Sequence, residues 1–127
     1  MITYPMKIVK IVNANSPTIS FYAKYCDSFH EKLMGLMFKK SIDPGFGIIM
    51  TESRESRMNT SIHMLFMNFN ITVLWLDKNY IIVDKVLAHK WNLAYFPAKP
   101  AQYTIELHET RYDDFNIGDK LLLENVK

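Results

Sequence analysis

The chain has 127 residues, of which 49% are apolar, 13% aromatic and 22% charged, and it carries a formal net charge of +2. This balance is typical of a globular protein, and the length suits one domain over residues 1–127 with a sizeable core. It excludes a disordered chain and a strongly basic nucleic-acid footprint, so nucleic acid is not the expected partner. The single cysteine, a start without a signal-peptide pattern and the lack of a long apolar run predict a cytoplasmic protein that does not enter a membrane.

The first part of the chain predicts two strands and the longest helix of the protein. Residues 6–12 and 18–25 are rich in β-branched and aromatic side chains and flank a turn-rich break. Residues 27–39 predict a helix, because Ser28 and Glu31 form a capping-box pattern and apolar residues then recur at helical spacing.

The most apolar stretch of the chain predicts two core strands, residues 61–67 and 71–77, joined by a short polar connection. Both faces of each strand are mostly apolar, so we expect an adjacent antiparallel pair in the middle of the fold. A flexible polar loop is expected before this pair, at residues 51–60, and a hairpin turn after it, at residues 77–79. Asn79 is the residue expected in the left-handed conformation of that turn.

The remaining elements complete a mainly β fold. Further strands are predicted at residues 47–50, 80–87, 103–108 and 120–124, and one helical turn at residues 110–115. The fold class that follows is mainly β: a compact single-domain antiparallel β-sandwich or barrel-like fold with one substantial helix.

Several short motifs follow one another along the chain: Lys32-Leu-Met-Gly-Leu-Met37, Gly47-Ile-Ile-Met50, Ser61-Ile-His-Met-Leu-Phe-Met67, Trp75-Leu-Asp77, Trp91, Ile105-Glu-Leu107 and Gly118-Asp119. Their order and spacing, over about residues 18–124, resemble those of the domain of unknown function 192 family of bacteria and archaea. The resemblance implies a compact β-rich single domain, and it implies no activity because the family has none assigned.

The chain departs from the family pattern at three places. Lys32 stands where the family usually has an arginine, Asn70 and Thr72 replace the proline and aspartate of a Pro-Ile-Asp motif, and residues 108–110 replace a glycine. A buried acid at position 72 would need a partner, for which the position of Lys32 is the candidate. Because a threonine hydroxyl still forms hydrogen bonds, we expect Thr72 to serve strand geometry or local hydrogen bonding.

No catalytic or metal-binding motif emerges from the sequence, so neither a cofactor nor a metal is expected. Cys26 lies at a strand-to-helix junction, where it is either a small buried thiol or a thiol activated by His30. His63 interrupts an apolar stretch, and three interpretations stay open. It is a core histidine hydrogen-bonded to a neighbour, a ligand-contacting residue or a metal ligand.

Two further features qualify as parts of a binding site. Glu106 is assigned to the outward face of its strand, as a solvated carboxylate, an ion-pair partner of Lys32 or a ligand contact. The loop at residues 88–102 combines basic and aromatic side chains, which could stack a base or a sugar or else fold back onto the sheet. The predicted ligand-binding residues are therefore His63, Trp91, Glu106, Lys90 and Tyr95.

These features predict a small non-catalytic binding or accessory module rather than an enzyme. A cleft near the central strands and the loop at residues 88–102 would take a small molecule, a peptide or a partner protein. One alternative is an enzyme that uses acid–base chemistry at His63 and Glu106. Another is a weak binder of single-stranded nucleic acid, for which the basic aromatic loop is the argument. The sequence carries no signal for an oligomeric state.

Overall fold

A single seven-stranded sheet organises the computed structural model, which describes residues 7–27, 31 and 35–125. The strands are β1 (Ile8–Asn13), β2 (Ser20–Cys26), β3 (Phe46–Ser56), β4 (Ile71–Leu76), β5 (Ile82–Ala88), β6 (Ala101–His108) and β7 (Leu121–Asn125). Their order across the sheet is β5-β4-β6-β3-β2-β1-β7. The mainly β class is therefore confirmed.

The sheet is mixed rather than purely antiparallel. Its neighbours pair antiparallel except for β2 and β3, which run parallel with Lys24 opposite Ile48. A parallel pair needs a crossover connection of a dozen or more residues, and residues 27–45 supply it. The expectation of an antiparallel fold is wrong at this one pairing, because strand periodicity carries no information about strand direction.

The predicted helix at residues 27–39 falls largely on residues 28–30 and 32–34, which lie outside the described residues. The prediction is wrong for the C-terminal part of this segment, where residues 35–38 form a turn. The Gly35 amide donates a helical hydrogen bond to the Glu31 carbonyl at 2.9 Å, but Gly35 itself has φ +46° and begins a turn. Glycine adopts this conformation without the steric cost of a Cβ atom and so ends helices readily.

The helix η1 (Glu109–Asp114), a 3-10 helix of six residues, is the longest one in the described part of the chain. It agrees with the helical turn predicted at residues 110–115. The substantial helix of the predicted fold class is therefore not borne out by the residues that the structure describes. None of the described helices is long and apolar enough to cross a membrane.

Apolar side chains cover both faces of the sheet and form two separate cores. All six residues of β4 are buried, as expected for a strand with both faces covered. The first core contains Val9, Ile11, Phe21, Ala23, Ile49, Leu74, Leu76, Ile82, Tyr103, Ile105, Leu107, Phe115 and Leu121. The second core contains Cys26, Leu36, Ile48, Ile62, Met64, Met67, Ile71, Val73, Trp75, Ala88 and Ala101.

The strand predicted at residues 61–67 does not exist. The neighbours of β4 are β5 and β6, so both of its edges are already hydrogen-bonded and leave no place for that segment. Residues 61–67 instead cross the second core, where Ile62 forms an isolated bridge with Tyr95. The expectation of an adjacent antiparallel pair is therefore wrong, whereas the strand predicted at residues 71–77 is confirmed as β4.

Two smaller expectations also change. The polar stretch at residues 51–60 is not a loop throughout, because β3 continues to Ser56. In the turn before β5 the left-handed residue is Tyr80, with φ +63°, rather than Asn79. The Asp77 carboxylate accepts the Asn79 and Ile81 amides at 2.8 and 3.1 Å, and this local bonding moves the left-handed position by one residue.

The edge strands β5 and β7 approach one another at one end of the sheet. An isolated bridge joins Ile81 to Lys120, and the Leu121 amide donates to the Tyr80 carbonyl at 2.9 Å. Apart from this contact, β5 and β7 do not pair in the described part of the chain, so the sheet is open. Whether it is better classed as a sandwich or a barrel stays a prediction.

Gly47 lies in β3 where the backbone of β6 leaves no room for a side chain. A Cβ atom there would lie 2.5 Å from the Glu106 carbonyl oxygen and 2.6 Å from Leu107 Cδ2. We expect Gly47→Ala to lower the free energy of unfolding by about 3 kcal/mol, because the backbone of β6 must move. Gly45→Ala is the control, since its Cβ would meet only the flexible Asp43 Oδ1, at 3.2 Å. Equal losses for the two variants in urea denaturation would contradict this prediction.

Candidate functional site

Three exposed aromatic side chains from three separate segments form one cluster, the aromatic surface of Phe38, Phe66 and Trp91. Their exposed fractions are 61%, 45% and 54%. The Phe38 and Phe66 rings stack with centroids 5.2 Å apart, and Trp91 meets Phe66 edge-on at 5.5 Å. Contacts of this geometry are favourable between aromatic rings, so the surface is held together although water reaches it.

The backbone of the aromatic surface is strained at each of its three residues. Phe38, Phe66 and Trp91 have φ values of +66°, +61° and +69°, and they are three of the four non-glycine residues with positive φ in the described part of the chain. This conformation costs a residue with a Cβ atom about 1–2 kcal/mol. Strain of this kind persists where the surroundings over-determine it, and it concentrates at functional sites.

Backbone hydrogen bonds hold the three segments in place. The Phe38 amide donates to the Phe66 carbonyl at 3.1 Å, and the Trp91 amide donates to the Met64 carbonyl at 2.8 Å. Ile62 and Tyr95 exchange two further bonds, of 3.0 and 2.8 Å. The position of each ring therefore depends on segments that are distant in sequence.

Four of the five predicted site residues lie in this region. His63 is half-buried between Ile62 and Met64, and its Nδ1 atom has no hydrogen-bond partner among the described residues. A core histidine that is hydrogen-bonded to a neighbour was one interpretation of His63. The Nδ1 atom makes no such bond with the described residues, which counts against that interpretation. The Lys90 amide donates to Asn70 Oδ1 at 2.9 Å, which anchors the start of the loop that carries Trp91.

Tyr95 has a structural contact as well as a place near the aromatic surface. Its hydroxyl oxygen accepts the His89 amide at 3.0 Å and contacts Asn92 Nδ2 at 2.6 Å. These bonds close the loop on itself, so a role for Tyr95 in ligand contact stays a prediction.

Glu106 is not the outward, solvated carboxylate that was expected. It is only 6% exposed, and its strand register places it between Ile48 and Val73 on the face of the second core. Its carboxyl group makes no hydrogen bond or ion pair with the residues that the structure describes, and burial raises its pKa to about 7. The expectation was wrong because alternation predicts which residues share a face, but not whether another segment covers that face.

The pairings proposed for Lys32 and His30 involve residues outside the described ranges. Cys26 is a free, buried cysteine, and burial raises the pKa of its thiol to about 11, with Lys24 opposing the rise and Glu31 and Glu106 adding to it. A thiol with this pKa is protonated at neutral pH. The burial of the thiol is confirmed, and its lack of reactivity stays a prediction. The described residues include no cluster of three potential metal ligands among His, Cys, Asp and Glu.

Thr72 is fully buried, and its hydroxyl donates to the Glu109 carbonyl at 3.2 Å. This is the local hydrogen bond that the substitution of the family aspartate predicted. An aspartate at this position would place a carboxylate against the same carbonyl oxygen, which is unfavourable without a proton between them.

Phe38 and Phe66 are site residues that the sequence did not reveal. Phe38 falls near the end of the predicted helix and Phe66 on one face of a predicted strand, where both patterns indicate ordinary core packing. No periodicity links Phe38, Phe66 and Trp91, because their meeting depends on how three loops cross the sheet.

The fold and this surface define a small protein with one mixed sheet and an exposed aromatic patch. The chain belongs to the DUF192 family, described as "Uncharacterized ACR, COG1430", whose profile matches residues 10–123. The resemblance seen in the motif order is thereby confirmed. Neither this description nor the names of the relatives given below state an activity.

Relatives among archaea support the same assignment. The chain is 37% identical over 102 residues to a UPF0127 protein of Pyrococcus horikoshii, covering 77% of this chain and 84% of that one. It is 42% identical over 83 residues to a UPF0127 protein of Thermococcus kodakarensis, covering 65% of this chain. That match spans about half, 51%, of the length of the Thermococcus protein.

Two solved structures share the fold. A putative transcription regulator from Sinorhizobium meliloti superposes with a TM-score of 0.80 at 15% identity, over 97% of each chain. A protein of unknown function from Novosphingobium aromaticivorans superposes with a TM-score of 0.76 at 14% identity, over 91% of this chain and 83% of that one. At these identities the likeness shows the fold alone.

Glu106 should make stability depend on pH. Its pKa in the folded protein, about 7, lies above its ordinary value of 4.5. Its ionisation therefore leaves the free energy of unfolding unchanged below the lower value, reduces it progressively between the two values, and adds no further loss above the higher one. We expect Glu106→Gln to gain about 3 kcal/mol over the parent between about pH 4 and pH 9, because it cannot ionise. Glu124→Gln, at an exposed position on β7, is the control. A difference between Glu106→Gln and the parent that stays constant with pH, in urea unfolding, would contradict the prediction.

Proposed function

We propose that this protein is a small non-catalytic binding module whose ligand contacts the aromatic surface of Phe38, Phe66 and Trp91. The observation that carries the proposal is the coincidence of exposure and strain: three large aromatic residues adopt left-handed backbone conformations while remaining open to water. A protein gains no core packing from exposed rings that would offset this strain. A ligand that stacks on the rings accounts for the arrangement.

The charges around the aromatic surface favour an anionic ligand. Lys39 and Lys40 follow Phe38 in the chain, and His89 and Lys90 precede Trp91. The segments at residues 61–70 and 88–100 contain no aspartate or glutamate. We therefore assign the ligand to the class of small anionic molecules with a flat ring, such as nucleotides or aryl acids, which combine stacking with charge attraction.

The predicted site residues enter this proposal with different roles. Trp91 provides a stacking face, and Lys90 provides positive charge beside it. His63 Nδ1 is buried and has no partner among the described residues, so this atom is not accessible at the surface, and Tyr95 holds the loop in shape. Glu106 has no described contact with these residues, so the acid–base enzyme at His63 and Glu106 has no geometric support. A cytoplasmic location and a single domain stay predictions.

The role of the aromatic surface can be separated from its effect on folding. Trp91→Asn removes the indole but keeps a residue that tolerates positive φ, so we expect the free energy of unfolding to change by less than about 1 kcal/mol. We expect binding of adenosine monophosphate or anilinonaphthalene sulfonate, followed by fluorescence or NMR, to weaken about tenfold, the value of one lost stacking contact.

Leu93→Asn is the matched control, since Leu93 lies in the same loop and is 77% exposed without belonging to the aromatic surface. It should leave binding unchanged. Equal affinity of the parent and Trp91→Asn for both probes would overturn the proposal. Tighter, strongly salt-dependent binding of a short oligothymidine by the parent would replace the small ligand with single-stranded nucleic acid.

A further inference from the structure

A cleft of about 590 Å³ borders the segment that carries Phe38. One wall is the face of β2 and β3 that carries Cys26 and Ile48, and the other is formed by residues between 35 and 43, including Leu36 and Ile42. Ligand pockets for small molecules have volumes of about 300–1,000 Å³, so the cleft has a suitable size. Neither Phe66 nor any of the five predicted site residues, Trp91 included, lines the cleft.

The deep part of the cleft is apolar. Cys26, Leu36 and Ile48 are exposed by only 2%, 4% and 4%, and all three belong to the second core. The raised pKa of Cys26 keeps its thiol neutral, so it contributes an uncharged surface. This floor would bind aliphatic side chains by burying their surface.

The rim of the cleft carries both signs of charge. Lys24 Nζ and Glu31 Oε2 form an ion pair at 3.8 Å, in which both side chains remain about one-third exposed. Lys39 makes no ion pair or side-chain hydrogen bond with the residues that the structure describes. Asp43 uses Oδ1 to accept the Gly45 amide at 2.7 Å and is otherwise exposed. A ligand at this rim therefore meets an exposed ammonium group that has no ion-pair partner among the described residues, and an accessible carboxylate.

From this combination we infer that the cleft binds a short zwitterionic peptide, of two or three residues with apolar side chains. Its carboxylate would face Lys39 and its ammonium group would face Asp43. Its side chains would lie against the half-buried Met37 and Ile42, over a floor closed by Cys26 and Ile48. A ligand with a single sign of charge would meet repulsion at one part of the rim. The cleft is also larger than one amino acid requires. Neither Phe66 nor Trp91 lines it, although Lys39 also adds to the positive charge near the aromatic surface.

The dipeptide Leu-Leu is the probe for this inference, tested on the full ¹⁵N-labelled chain by NMR titration. We expect the amide signals of Cys26 and Ile48 to shift. N-acetylation or C-terminal amidation of the probe should each weaken binding by about threefold, the value of one exposed charge contact. Free Leu-Leu that leaves both signals unmoved overturns the inference, and so does binding that neither capping reaction weakens.

Two pairs of variants assign the two charges. Lys39→Ala should weaken binding of free Leu-Leu about threefold and leave the amidated form unaffected, whereas the exposed neighbour Lys40→Ala should change neither. Asp43→Asn keeps the acceptor for the Gly45 amide and should weaken free Leu-Leu but not its N-acetyl form, with Asp113→Asn as control. Equal effects of a variant and its control would show that the charges act only at long range and would overturn the placement.

Trp91→Asn separates this inference from the proposed function. It should leave Leu-Leu binding unchanged, because Trp91 does not line the cleft. If Trp91→Asn weakens Leu-Leu binding as much as Lys39→Ala does, the peptide binds at the aromatic surface and the cleft is not its site.

Discussion

The hydrogen bond from the Trp75 indole to the Thr60 carbonyl, 2.7 Å long and fully buried, joins the sheet to the segment that covers it. Thr104 reaches the same carbonyl with its hydroxyl at 3.4 Å. Two strands, β4 and β6, thus hold the chain at the point from which residues 61–67 cross the second core. A buried acceptor that lost both donors would cost about 1–3 kcal/mol, so this contact strongly constrains the covering segment.

The requirement to cover both faces of one sheet explains where the candidate sites lie. The first core lies on one face, whereas on the other the segments around residues 35–43 and 61–67 provide Leu36, Ile62, Met64 and Met67. These segments are short and cross the strands without forming elements of their own, so their turns must occur over the sheet. The left-handed residues Phe38 and Phe66 lie at such turns. The aromatic surface is therefore a product of how the second core is covered, and it carries a cost that packing alone does not explain.

Burial beneath the segments that cover the second core changes the protonation of Glu106 and Cys26. Both residues lie on the face of the second core, and burial is the first cause of the raised pKa of each. For Cys26 the result is a neutral thiol without nucleophilic character at ordinary pH. For Glu106 it is a carboxyl group whose neutral form burial favours and which has no described partner, so its ionisation reduces stability and the group does not hold the fold together.

The sequence by itself determined most strands and membership of the family through the order of its motifs. These properties are local, because a period of two residues and turn chemistry act within one segment. Only the tertiary structure decided the parallel pairing of β2 with β3, the burial of Glu106 and the meeting of Phe38, Phe66 and Trp91. Each of these depends on which distant segment lies against a given face. Periodicity reveals that a face exists, but the residues that cover it are set by packing across the whole chain.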